Sequence, residues 1–136
     1  MGMILIGAGL AGACQGNVFA LKVGDCFNNS TTEGNVSNVE VIPCTDPHDY
    51  EVYFLATYAP DGSTYPGETL MTDFSDTACA NSFQGYVGKS PAESTLTYYF
   101  LSPTSESWDS GDRTIDCVVT LPSSEKLTGS VKGTNQ

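Results

Sequence analysis

Apolar positions along the chain come in short alternating runs separated by clusters of Asn, Ser, Thr, Gly and Pro, the pattern of strands joined by tight connections. "VFALKVGDCF" opens the pattern, "NNSTTEGN" interrupts it with turn-forming residues, and "NVEVIPC" resumes it. The next run, "YEVYFLATY", is rich in aromatic and β-branched residues, with Val52, Phe54, Ala56 and Tyr58 on one face and Tyr53, Leu55 and Thr57 on the other. Apolar side chains on both faces predict a central strand. Between the two runs lies "TDPHD", whose Pro47 has no amide to give a central ladder, so two antiparallel strands are expected to meet near His48.

After the loop "APDGSTYPG" the period changes. In "ETLMTDFSDTACANSFQGYVG", Leu70, Met71, Phe74, Ala78 and Ser82 recur at helical spacing, and Pro66 and Gly85 bracket the predicted helix. Glu68, Asp73 and Asp76 weight its first half with negative charge, which suits the positive end of the helix dipole. "STLTYYFLSP" and "RTIDCVVTLP" read as strands, "SESWDSG" as a short helical turn capped by Thr104 or Ser105, and "KLTGSVKG" as a short edge strand. The pattern predicts an α+β domain: a small antiparallel sheet of about four to five strands with one main helix packed on one face.

Length and charge narrow the picture. The 136 residues suit one domain, read as residues 19–133 after a leader over residues 1–18. Sixteen acids against five bases give a net charge of −11, which argues against nucleic acid, since phosphate binding is driven by Lys and Arg.

The five cysteines, Cys14, Cys26, Cys44, Cys79 and Cys117, include no C-x-x-C pair, so neither a zinc site nor a thioredoxin-like site has local support. Four of them in the folded region imply two disulfides, and with them a location outside the cytoplasm. Four cysteines admit three pairings, and sequence alone leaves all three open. The favoured one joins Cys26 to Cys44, tying the opening strand to its neighbour, and Cys79 to Cys117, tying the helix to the fourth strand. Cys14 follows "MGMILIGAGLAGA", which is shorter than the run of about 20 apolar residues that spans a bilayer. This leader reads either as a lipoprotein signal with Cys14 as the lipid anchor, Ala11 standing where such signals usually have Leu, or as the end of a transmembrane helix. Both place the domain outside the cell membrane and tethered to it.

The candidate chemistry is sparse. His48, the only histidine, has Asp46, Asp49 and Glu51 close in sequence but no evident nucleophile beside it, and no second histidine for a metal. The plainer reading is structural: a histidine after Pro47 whose two ring nitrogens satisfy carbonyls or carboxylates left over by the turn. Arg113 has a planar group suited to a ligand carboxylate or phosphate, or to an internal pair with Glu51, Asp25 or Asp112. Trp108 is expected to pack over the chain, and Asp109 with Asp112 is a carboxylate pair by residue type alone. Trp108, Tyr53, Tyr98 and Tyr99 would supply aromatic surface beside Arg113, although such residues more often belong to the core.

Taken in order, "KVGDCF", "VEVIPCTDPHDYEVY", Cys79 followed by "GYVG", "WDSGDRTIDC" and "LTGSVKG" resemble the septum formation family of actinobacterial exported proteins. The resemblance runs from about Leu21 to Gly133 and rests on the ordered elements G-D-C, P-H-x-x-E and W-x-x-G-D-R-x-x-x-C. It implies a domain that follows a lipoprotein signal or transmembrane helices, with a link to cell division and no defined reaction. The matching positions are Gly24, Asp25, Cys26, Cys44, Pro47, His48, Glu51, Cys79, Trp108, Gly111, Asp112, Arg113 and Cys117.

The reading reached is a non-enzymatic, membrane-tethered extracytoplasmic domain without cofactor, metal ion or catalytic residue, which binds an envelope component or a membrane protein. His48, Glu51, Trp108, Asp112 and Arg113 are expected to form its ligand-binding or structural polar corner. An envelope hydrolase using His48 with Glu51 or Asp112, and the sensory outer domain of a signalling protein, are the alternatives.

Overall fold

The computed structural model describes residues 15–17, 21–28, 38–58 and 64–136. Its strands are β1 (Gln15–Asn17), β2 (Cys26–Phe27), β3 (Asn38–Ile42), β4 (Tyr50–Thr57), β5 (Thr97–Leu101) and β6 (Thr114–Thr120); its helices are α1 (Glu68–Val87) and α2 (Ser105–Asp109). The strands form one sheet in the order β1-β3-β2-β4-β6-β5, antiparallel at every step. Strands β2 to β6 with α1 on one face are the α+β arrangement expected from the sequence, and the three-residue β1 extends the sheet beyond β3. Cys14 and the rest of residues 1–14 lie outside the described residues, and among those described no helix is long and apolar enough to cross a membrane.

β4 is central, as its two apolar faces require, but its alternation is not strict. Its register against β6 slips between Val52 and Phe54. That bulge turns Tyr53 to the same side as Ala56 and Tyr58, facing α1, and leaves Val52 and Leu55 on the opposite side. The sheet therefore has a core on each face. Met71, Cys79, Phe83 and Val87 of α1 close on Tyr53, Ala56, Ile115, Cys117 and Val119, while Leu21, Phe27 and Val39 close on Val52 and Val118 behind them.

α1 buries Met71, Ser75, Cys79, Phe83 and Val87, one row at a spacing of four. The row expected to begin at Leu70 is rotated outward, and Leu70 is 57% exposed. The Cys79–Cys117 bridge fixes which row faces the sheet. The helix passes through Gly85 and ends at Val87, where Gly88 (φ 106°) caps it by donating its amide to the Gln84 carbonyl at 2.9 Å.

Residues 127–136 make no edge strand, in contrast to the expectation for "KLTGSVKG". Leu127 forms one bridge with His48, after which left-handed backbone at Gly129 (φ 85°) and Gly133 (φ 69°) ends the extended run. The segment becomes a strap. Gly129 donates its amide to the Cys44 carbonyl (2.7 Å), Gly133 to Tyr86 (2.8 Å) and Asn135 to Val87 (2.9 Å), while Thr95 donates to the carbonyl of Gln136 (2.8 Å). The strap thus runs from the His48 turn to the end of α1.

Both disulfides have the favoured pairing, Cys26–Cys44 closing 18 residues and Cys79–Cys117 closing 38. Loop entropy assigns them about 3 and about 4 kcal/mol respectively. Cys79 and Cys117 are fully buried whereas Cys44 is partly exposed. Limited reduction of native protein, followed by alkylation and peptide mapping, is expected to label Cys26 and Cys44 while Cys79 and Cys117 stay joined, because a reductant thiolate must reach the sulfur it attacks. Equal labelling of all four would contradict this packing.

Candidate functional site

The turn before β4 delivers His48 and Glu51, both 0% exposed. His48 is pinned by its backbone, whose N–H donates to the Leu127 carbonyl (2.9 Å) and whose carbonyl accepts from Leu127 (2.7 Å). Its ring lies 2.8 Å from the Asp46 carbonyl through Nδ1, and because a carbonyl only accepts, Nδ1 carries the proton. Nε2 is buried and finds no partner among the described residues, so one ring nitrogen is used, not the two expected.

Glu51 is the better anchored group. Its Oε2 accepts from the Tyr86 hydroxyl (2.5 Å) on α1 and the Ser130 hydroxyl (2.6 Å) on the strap, and its Oε1 accepts from the Val131 amide (2.9 Å). Three donors from two separate elements converge on one buried side chain. Burial first, and the bond to Glu51 second, push the Tyr86 phenol well above its ordinary range, which keeps it a donor. Cys26, Cys44 and Glu51 come close enough to suggest a metal site, but the two sulfurs are bonded to each other.

The second motif builds a corner on itself. Thr104 caps α2: its hydroxyl accepts from the Ser107 amide (3.0 Å), and the Ser107 hydroxyl accepts from the Thr104 amide (2.8 Å). The chain turns at Gly111 (φ 101°), and Asp112 then accepts from the Ser107 hydroxyl (3.0 Å) and the Thr114 amide (3.1 Å). The Arg113 guanidinium sits over the buried Trp108, with Cζ 3.4 Å from the ring centroid. Its Nη1 donates to the carbonyls of Trp108 and Asp112, both at 2.9 Å. The ion pair expected with Glu51, Asp25 or Asp112 is replaced by this stack, since those carboxylates are taken by Tyr86, Ser130 and Val131, by the Lys22 amide, and by Ser107 and Thr114.

The five residues grouped as one polar corner do not meet. Glu51 stands opposite Val119 and Thr57 opposite Thr114, so His48 and Glu51 sit at one end of the β4–β6 ladder and Trp108, Asp112 and Arg113 at the other. Six residues of strand separate them, about 20 Å. Of the aromatics expected beside Arg113, Trp108 and Tyr53 are buried, while Tyr98 and Tyr99 alternate to opposite sides of β5.

Sequence reasoning missed Asp116. It sits in β6 between Leu55 and Leu101, on the side away from α1, 3% exposed, with Oδ1 unpartnered among the described residues. Burial, and then the charge of Asp112, push its carboxyl up to about 7. An acid inside "TIDCVV" was the available signal. A perturbed carboxyl is often catalytic, yet Asp116 lines neither of two surface clefts formed by described residues. The larger cleft, about 390 Å³, lies between the start of α1 (Tyr65, Glu68, Met71, Thr72) and residues 102–106. The smaller, about 160 Å³, lies by Asp49, Tyr50, Tyr99 and Leu121.

A small sheet with one main helix, stapled by two disulfides and with His48 and Glu51 buried inside it, is the class of domain these features define. The chain belongs to the septum formation family, whose model matches residues 21–136. No curated protein and no solved structure matches it significantly. Membership ties the chain to a role related to cell division, in a family not known for enzymes, and the disulfides fit an extracytoplasmic location.

Two outcomes are expected from this geometry. Glu51→Ala leaves three donors without their acceptor and should cost about 3 kcal/mol or more in denaturant unfolding, with faster hydrogen exchange at Val131; a loss under about 0.5 kcal/mol would show the strap to be held otherwise. Asp116 has a folded pKa raised above its ordinary 3.8 to about 7, so it costs the fold nothing below about pH 4 and lowers stability progressively as pH rises from about 4 to 7. Asp116→Asn should therefore exceed wild type in stability at pH 8 by an amount of the order of 2–4 kcal/mol, a gap that closes toward pH 4. A gap independent of pH would rule this out.

Proposed function

We propose that the chain is a non-enzymatic, membrane-tethered extracytoplasmic domain that binds an envelope component or a protein partner during septum formation. The observation that supports this most is the direction of the motif side chains. His48 and Glu51 are sealed from solvent, and Arg113 is spent on Trp108 and two carbonyls. A hydrolytic base must touch both substrate and water. His48 and Glu51 reach neither, so P-H-x-x-E serves as architecture; W-x-x-G-D-R, whose Asp112 and Arg113 are half-buried, is engaged in holding its own turn, and recognition falls to the open surface.

The tether is assigned to the apolar leader and Cys14. Outside the membrane the two disulfides persist and hold the surface rigid, which lowers the ordering cost of binding. The net charge of −11 turns the domain away from anionic lipid and toward neutral or basic partners.

The test is a fluorescent fusion of the full chain in dividing cells, together with purified cell wall. The fusion should gather at septa and be accessible to external protease, and His48→Ala should lower the melting temperature without altering any release of wall fragments. Wall cleavage by the wild type that His48→Ala abolishes would overturn the reading in favour of a hydrolase.

A further inference from the structure

β5 is the last described strand of the sheet: β6 pairs with one side of it, and no described strand pairs with the other. Edge strands are usually blunted by a charge, a proline or a bulge, because their free amides and carbonyls accept any extended chain. β5 has none of these. It reads Thr97-Tyr98-Tyr99-Phe100-Leu101, and its register with β6 is unbroken. Tyr99, on the side away from α1, is 56% exposed and offers a ring to the side chains of a neighbouring strand.

The edge leads directly into the larger cleft, since residues 102–106 that follow β5 form one wall and the first turn of α1 forms the other. The charged groups lining that cleft are Glu68 and Glu106, both exposed, with Tyr65 and Met71 beside them and no Lys or Arg. From this juxtaposition we infer that β5 accepts an extended peptide of a partner protein as an added strand, and that a Lys or Arg of the peptide enters the cleft between Glu68 and Glu106. The inference rests on the binding reading above and gives it a surface and a partner chemistry. A second copy of this chain fits less well, because it would bring its own Glu68, Glu106 and net charge of −11 to the same edge.

Hydrogen exchange of amides 97–101 in the full, oxidised chain tests this with three synthetic probes: a heptapeptide alternating Val and Thr with Lys at one end, the same peptide with Glu for Lys, and the Lys peptide N-methylated on every second amide in either frame. The Lys peptide should protect residues 97–101, the Glu peptide should bind about tenfold more weakly, and methylation in the pairing frame should abolish protection. Glu68→Lys with Glu106→Lys, both at exposed positions, should reverse the preference between the Lys and Glu peptides. Absence of protection by the Lys peptide, equal binding of the Lys and Glu peptides, or protection that rises with protein concentration alone, the mark of a second copy, would each overturn the inference. A variant carrying Tyr99→Lys with both Glu reversals separates the two levels: if it still gathers at septa, the edge is not the contact although the binding reading stands, whereas failure of the wild type to gather there sinks the reading itself.

Discussion

One buried carboxylate holds the domain's last turns together. Glu51 sits in the central strand, inaccessible to water, and accepts from Tyr86 of the helix and from Ser130 and Val131 of the strap. A buried charged group without such partners would be costly, so the placement of helix end and strap is a condition of burying it at all. His48, three residues earlier, fixes the other end of the strap through its paired bonds with Leu127. The P-H-x-x-E motif thereby clamps the strap at two points.

The two disulfides and the clamp divide the work by position. Cys79–Cys117 ties α1 to β6 in the core on one face, and Cys26–Cys44 ties β2 to the turn that leads to His48. The strap then passes over the second bridge, since Gly129 donates to the Cys44 carbonyl. At the far end of β4, Arg113 stacks on Trp108 and donates to two neighbouring carbonyls, while Tyr58 and Tyr65 pack edge-on against the same indole.

What the sequence discloses is local, and what it conceals is long-range. Alternation and turn residues marked β3 to β6 and the period of α1, and simple topology favoured the correct cysteine pairing. A single extra residue between Val52 and Phe54 could not be read, because Val, Tyr and Phe are equally at home on either face. The helix face was misread because Leu70 is apolar yet exposed while Ser75 is polar yet buried. Glu51 and Ser130 lie 79 residues apart, so nothing in a local window joins them. Arg113 suggested a carboxylate partner, but every carboxylate proposed for it had closer donors.

The coupling between Glu51 and Tyr86 is the most direct measure of the clamp. A double-mutant cycle of Glu51→Gln and Tyr86→Phe, followed by denaturant unfolding of the oxidised chain, should give an interaction energy of about 1–2 kcal/mol. Additivity within about 0.3 kcal/mol would contradict the account, for the helix and the strap would then be held without the carboxylate that is said to join them.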